Sequence, residues 1–416
     1  MSRMSPAVKN KLQNFLIVLL SVTAALLFLQ NRRLTQGDGS LLSRLFADPG
    51  TTVSDSMDQP EIAALPLRFA ASGDYAACGS LGMTTAEETF SVPGALLREA
   101  LGSASGRQTA DEGGFLAALG GASLYYDFLT ALPASLLGRH LDCAIPQGLD
   151  SVRRLLLSVQ GGSVYLYCGS EESCLRYQTK VSVTDLTALV NSCELSGVIF
   201  AGQLSQAEGL DPLSLLPSED VSLPQLSAAS CPAESALWNL LGFNPRTNNY
   251  YLESDGTQVI LEGDSTLRLQ PGAVIRYEGS GLSLSDQESF PDAGDAVEAG
   301  ERFLAALLQS CGSNAGLLLR QVQATANGWI MHFDYHAGGY PIRSGSGGAM
   351  ASLTLRGTTV AELELNLRRY TVTEETSLLL PLTQALAIAR RYDGAELSLG
   401  YLDGGGDALS AGWLAE

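Results

Sequence analysis

Residues 329–370 read WIMHFDYHAGGYPIRSGSGGAMASLTLRGTTVAELELNLRRY, and this stretch decides the fold class. Trp329, Met331, Phe333 and Tyr335 recur at every second position, which places them on one face of a strand. Leu353 and Leu355, then Leu363, Leu365 and Leu367, repeat the alternation after turn-forming Gly and Ser residues. Glu362, Glu364 and Asn366 take the opposite positions, so one side of this sheet is expected to meet water.

Helices flank the strands. Upstream, Val297, Phe303, Leu304, Leu307 and Leu308 share one face of a helix expected over 295–310. Downstream, Pro381 opens a helix whose buried stripe is Leu382, Ala385, Leu386 and Ala389, closed by Arg390 and Arg391 at its negative end. A last strand carries Leu397, Leu399 and Tyr401. A related unit precedes this one. There, a helix around 234–241 leads into YYLESDGTQVIL, whose Asp255-Gly256 pair suits a tight hairpin, and Pro271-Gly272 turns the chain between LRL and VIRY. Helices followed by antiparallel runs define an α+β class.

Nearer the start, Leu96, Leu97, Ala100 and Leu101 mark a helix face. Leu124, Tyr126 and Phe128 alternate with Tyr125 and Asp127 as in a strand, and Val164, Leu166 and Cys168 do the same. A helix is expected over 183–193, with Thr184 or Asp185 near its start to accept free amide hydrogens. Residues 204–232 hold four prolines and no clear period. The expected organisation is a tail at 1–11, a transmembrane helix at 12–30, a tether at 31–60 and an α+β domain at 61–203. A linker at 204–232 then leads to helix-plus-meander units at 233–290 and 291–416.

The transmembrane reading rests on LQNFLIVLLSVTAALLFLQ, an uncharged run over 12–30. Nineteen helical residues span roughly 28 Å, close to the hydrocarbon thickness of a bilayer. A cleaved signal peptide is the rival. The run ends in Phe28-Leu29-Gln30 and basic residues rather than a small-x-small cleavage site, which favours an anchor that stays attached. Ser21, Ala24 and Ala25 are small residues on one side of it, as close helix approach in lipid requires, although any anchor of this length contains a few. Residues 1–33 hold five basic and no acidic residues, leaving 20 basic against 44 acidic in the rest, a net −24. A basic start suits anionic lipid and an acidic body is repelled from it. Charge alone does not orient the anchor, because Arg32, Arg33 and Arg44 balance Arg3, Lys9 and Lys11. The overall charge of −19 argues against nucleic-acid binding.

Chemistry-bearing motifs are sparse. Seven cysteines are scattered, and only Cys168 and Cys174 sit close, in CGSEESC. Ordinary buried thiols are the weightier reading of this pair and a local disulfide the alternative. His332 and His336 of HFDYH share a strand face but stand about 13 Å apart, too far to converge on a metal. No GxSxG elbow occurs, and GYPIRSGSGGAM lacks the Lys of a phosphate loop and precedes a strand. Of 44 carboxylates, no two stand out as an acid–base pair.

The segments LLGFNPRTNNYYLESDGTQVILEGDSTLRLQPGAVIRYEG (240–279) and 329–370, with LGYLDGGG and GWLAE at the end, resemble the YycH/YycI family of two-component regulators of Gram-positive bacteria. The likeness covers most of the chain and is strongest from 233 onward. It implies a single-pass cell-membrane protein with an extracytoplasmic body, no enzymatic activity and no cofactor. It also implies contact with a cell-envelope sensor histidine kinase and a paralogous regulator, partly through the transmembrane helix, where Ser21, Ala24 and Ala25 would make the contact. No small-molecule substrate is expected. The rival classes are an adaptor or ligand-sensing module unrelated to kinases and a cell-envelope hydrolase.

Overall fold

Strand alternation governs most of the chain. The computed structural model describes residues 64–415 except 74–75, 170–173, 234, 245–249 and 393. The anchor at 12–30, with Ser21, Ala24 and Ala25, and the tether at 31–60 lie outside the described residues. The described residues belong to one compact unit, Gln59–Glu416, of mixed α+β structure with mostly antiparallel strands. Among them no helix is long and apolar enough to cross a membrane.

Nine strands form the first sheet: β1 (Pro66–Gly73), β2 (Ala76–Thr84), β3 (Ser105–Ala110), β4 (Ser123–Pro133), β5 (Ser151–Gln160), β6 (Ser163–Gly169), β7 (Cys174–Gln178), β8 (Gly197–Phe200) and β9 (Leu215–Pro217). They lie in the order β3-β7-β6-β5-β4-β1-β2-β8-β9. Helices α1 (Ser91–Ser103), α2 (Glu112–Ala118), α3 (Ala134–His140) and α4 (Val183–Asn191) fall between them. Central β4 is covered on both sides. Tyr126 packs against Phe69 and Phe90, while Tyr125 meets Phe115 and Phe200 edge-on. The expected strand forms, and Tyr125 and Asp127, on the face opposite Leu124, Tyr126 and Phe128, are completely buried as well, because each face has its own cover. Helix α4 is capped by Ser182, whose hydroxyl accepts from the Asp185 amide, and not by Thr184 or Asp185. Extended backbone at Ser182 lets its oxygen turn back onto the first turn.

Residues 204–232, expected as a linker, carry β9 and then β10 (Pro224–Ser230). Leu215, Leu216, Leu223 and Leu226 are buried there. β9 is three residues long, and in β10 the buried Leu226 and Ala228 alternate with small Ser and Ala residues that give little contrast in the sequence.

Helix α5 (Ser235–Leu240) leads into the largest sheet. That sheet has eleven strands, the first nine being β11 (Tyr250–Leu252), β12 (Gln258–Glu262), β13 (Ser265–Gln270), β14 (Val274–Glu278), β15 (Gly316–Thr325), β16 (Gly328–Ala337), β17 (Tyr340–Ser344), β18 (Ala351–Arg356) and β19 (Thr359–Asn366). Both expected turns close hairpins, with Gly256 and Gly272 at φ 90° and 87°. The units expected at 233–290 and 291–416 share this sheet, since β14 pairs with β19 through Ile275 and Leu365. Helix α6 (Ala293–Ser310) lies on its apolar side, close enough that Gly300 sits against Met331 and Leu353. β20 (Arg368–Thr376), helix α7 (Leu382–Ala389), β21 (Leu397–Asp403), β22 (Ala408–Leu409) and β23 (Ala411–Ala415) complete the chain. β21 and β23 join the large sheet, β21 running parallel to β17, while β20, β10 and β22 form a three-stranded sheet.

One covalent link lies within the first sheet's region, and one ion network joins that sheet to β21. Cys78 and Cys193 form a disulfide, with Cα atoms 6.3 Å apart. The ion network is buried. Arg68, Asp127 and Arg154 are neighbours in register across β1, β4 and β5. Arg68 Nη1 stands 3.4 Å from Asp127, and Arg153 Nε 3.3 Å from it. Glu396, at the entry to β21, bonds Arg68 and Arg153 and lies 3.2 Å from Arg154, which also bonds Asp211. Burial alone would push the Asp127 carboxyl up, but Arg153, Arg68 and Arg154 outweigh it and hold it at about 2.

Glu396→Gln leaves three guanidiniums short of one buried counter-charge. Loss of about 3–5 kcal/mol of stability is expected in chemical denaturation of the full chain. Glu374→Gln, on an exposed strand position, should stay within about 0.5 kcal/mol.

Candidate functional site: the open face of the large sheet

The candidate site is the side of the large sheet that α6 does not cover. Period-two alternation puts Leu267, Tyr277, Leu363, Leu353 and Met331 on the covered side, where all are buried. The same register aligns Arg268, Arg276, Glu364, Ser352 and His332 across the open side. Arg276 grips Glu364 with two bonds, Nε to Oε2 at 3.1 Å and Nη2 to Oε1 at 3.3 Å. His332 Nδ1 lies 2.9 Å from the Ser352 hydroxyl. One row further along, Glu278 and Glu362 stand directly opposite each other, a like-charge pair relieved by Arg268 at 3.7 Å from Glu278. Arg276, Glu278, Ser352, Glu362 and Glu364 line a shallow depression of about 380 Å³.

At the sheet's edge this face meets β11, where Tyr250, Tyr251 and Leu252 are 56%, 48% and 69% exposed. Leu261 of the adjoining strand is exposed as well. Polar groups of both signs beside an uncovered aromatic edge can accept a protein surface, through ion pairs on the face and backbone hydrogen bonds at the edge.

The HFDYH motif runs along β16. Asp334 is buried between Arg320 and Arg343, each 3.8 Å away. His336 packs so closely on Gly316 that a Cβ there would lie 2.3 Å from its Nε2, and burial pulls the ring's pKa down to about 4. The two histidines thus sit in separate surroundings. No group of three or more His, Cys, Asp or Glu among the described residues is placed to hold a metal ion. GYPIRSGSGGAM forms β17 and a turn whose Gly345 amide donates to Asp403 O at 2.8 Å.

Cys168 and Cys174 lie on paired strands, but Cys168 faces Leu175 and Cys174 faces Gly169, so the two thiols point to opposite sides of the sheet. Both are free thiols, and the disulfide joins Cys78 to Cys193 instead. A separation of 115 residues left that pairing without a sequence signal.

Sequence reasoning also missed the buried carboxylates. The Arg153-Arg154 doublet inside SVRRLLLSVQ was the available signal, since charges in a buried strand demand partners. Asp127 and Glu396 are held by arginines and serve as structural anions. Glu301 of α6 differs. It is buried 3 positions from Glu298, and no Lys or Arg among the described residues reaches it at ion-pair distance. Burial, with Glu298 adding to it, pushes its carboxyl up to about 8.

A carboxyl raised from 4.5 to about 8 on folding keeps a proton that the unfolded chain releases, so stability is lost as pH rises through this window. Glu301→Gln removes the titration, and its advantage over wild type should grow between pH 5 and 8 by a few kcal/mol in denaturant unfolding. A difference flat with pH would show that Glu301 is ionised in the folded chain. Comparison with protein-family models, with curated proteins and with solved structures finds no match to this chain.

Proposed function

We propose that this protein is a membrane-anchored extracytoplasmic regulator that acts by protein–protein contact, without chemistry of its own. The observation that carries the reading is the open sheet face with its uncovered aromatic edge, a surface made of paired charges and exposed tyrosines. Charge-rich faces of this kind select a partner and speed its encounter. The Cys78–Cys193 disulfide supports a body outside the cytoplasm, because such bonds persist in oxidising compartments. The resemblance to the YycH/YycI regulators supports a cell-envelope sensor histidine kinase as the target, with a paralogous regulator alongside. It also supports the anchor at 12–30 as a second contact, through Ser21, Ala24 and Ala25.

The test is capture of histidine kinases from solubilised membranes by the tagged full chain, quantified by mass spectrometry. Ser21→Leu and Ala25→Leu block close helix approach, which contributes on the order of 1–2 kcal/mol in lipid, so kinase capture should fall roughly five- to thirtyfold. Glu278→Lys with Glu362→Lys should reduce capture through the sheet face, while Glu374→Lys should leave it unchanged. Wild-type capture without any kinase would overturn the target. Retention of a kinase that ignores both sets of substitutions would overturn the contact surfaces.

A further inference from the structure

Beyond Cys78 and Cys193, one more pair of cysteines is brought together. Cys231 follows the end of β10, and its amide donates to Leu367 O at 2.8 Å. Cys311 is the residue that ends α6, with Sγ turned onto the carbonyls of Leu307 and Leu308 at 3.3 and 3.2 Å. Both backbones are pinned to the start of β20. Ser230 pairs with Arg368 from β10. From the chain after α6, Ser313 donates to Arg368 O, Asn314 Nδ2 donates to Tyr370 O at 2.7 Å, and the Tyr370 amide returns to Asn314 Oδ1 at 3.0 Å. Both cysteines are thus brought beside one short stretch, residues 367–370, and each lies close enough to perturb the other's titration. Cys231 and Cys311 are 5% and 8% exposed, so they meet at the margin of the core.

We propose that Cys231 and Cys311 are a modification site, joined by oxidation into a second disulfide that staples the end of α6 to β10. The oxidant is a disulfide, supplied by a small molecule or a protein. The Cys231 thiolate attacks it, forming a mixed disulfide and releasing one thiolate. The Cys311 thiolate then attacks the Cys231 sulfur and expels the second. The two cysteine sulfurs give up two electrons, the oxidant's S–S bond takes them, and the two thiol protons end on the released thiols. The staple joins the helix under the large sheet to the strand that organises the three-stranded sheet. Cys168 and Cys174 are excluded from such a link by their opposite faces.

Equilibrating the purified full chain in buffers of increasing glutathione disulfide, then alkylating in denaturant and mapping peptides by mass spectrometry, tests the proposal. A covalently joined Cys231–Cys311 peptide pair is expected, lost on reduction, with Cys143, Cys168 and Cys174 alkylated at every ratio. Alkylation of both Cys231 and Cys311 at the most oxidising ratio overturns it, and so does either residue joined to a different cysteine. The pairing rests on this shared anchoring alone, so its failure leaves the regulatory reading standing, and loss of kinase capture leaves the pairing standing.

Discussion

Six buried or half-buried charges hold the two ends of the described chain together. Arg68, Arg153 and Arg154 face Asp127, Asp211 and Glu396, so the network is neutral as a whole. Removing these ions from water is costly, and only mutual contact offsets it. Such a network adds little net stability over an apolar core but makes every incomplete version expensive. Its effect is therefore on specificity. Glu396 bonds Arg68 across a separation of 328 residues, which commits the entry of β21 to one place on the first sheet. Apolar residues close around that place, with Ala201, Leu210 and Leu216 packed in one cluster with Ala385, Leu386 and Leu397.

A second buried pair works on a smaller scale. Arg368 grips Asp403 with Nε and Nη2 at 2.9 and 3.2 Å, and the Tyr370 hydroxyl donates to the same carboxylate at 2.8 Å. This pair fixes β20 against the end of β21, and so sets the three-stranded sheet on the large one. Close backbone approaches complete the assembly. Thr130 of β4 donates to Leu319 O of β15 at 2.6 Å, and Gly82 of β2 gives the Tyr340 ring the room that a Cβ would fill.

Opposite α6, the large sheet leaves part of its other face open around Arg276, Glu278 and Glu364. Its charges are paired across strands rather than across layers, as the Arg276–Glu364 and Arg268–Glu278 contacts show. Exposed pairs of this kind contribute little to folding.

The amphipathic patterns of α1, α6 and α7, the two Gly turns and the wet side marked by Glu362, Glu364 and Asn366 were all legible in the residues. Each depends on neighbours within one element, where periodicity records which side meets water. The doubly covered β4 was not legible, because alternation vanishes when both faces are buried. Nor was the role of residues 204–232, where β9 is three residues long and the small Ser and Ala residues of β10 give little hydrophobic contrast. The sequence by itself determined the α+β class, the acidic charge of the body and the apolar run at 12–30. Tertiary structure alone decided which few of 44 carboxylates are buried and which of seven cysteines meet. The physical reason is that desolvation and partner choice are set by contacts between residues hundreds of positions apart, and no local pattern carries that information.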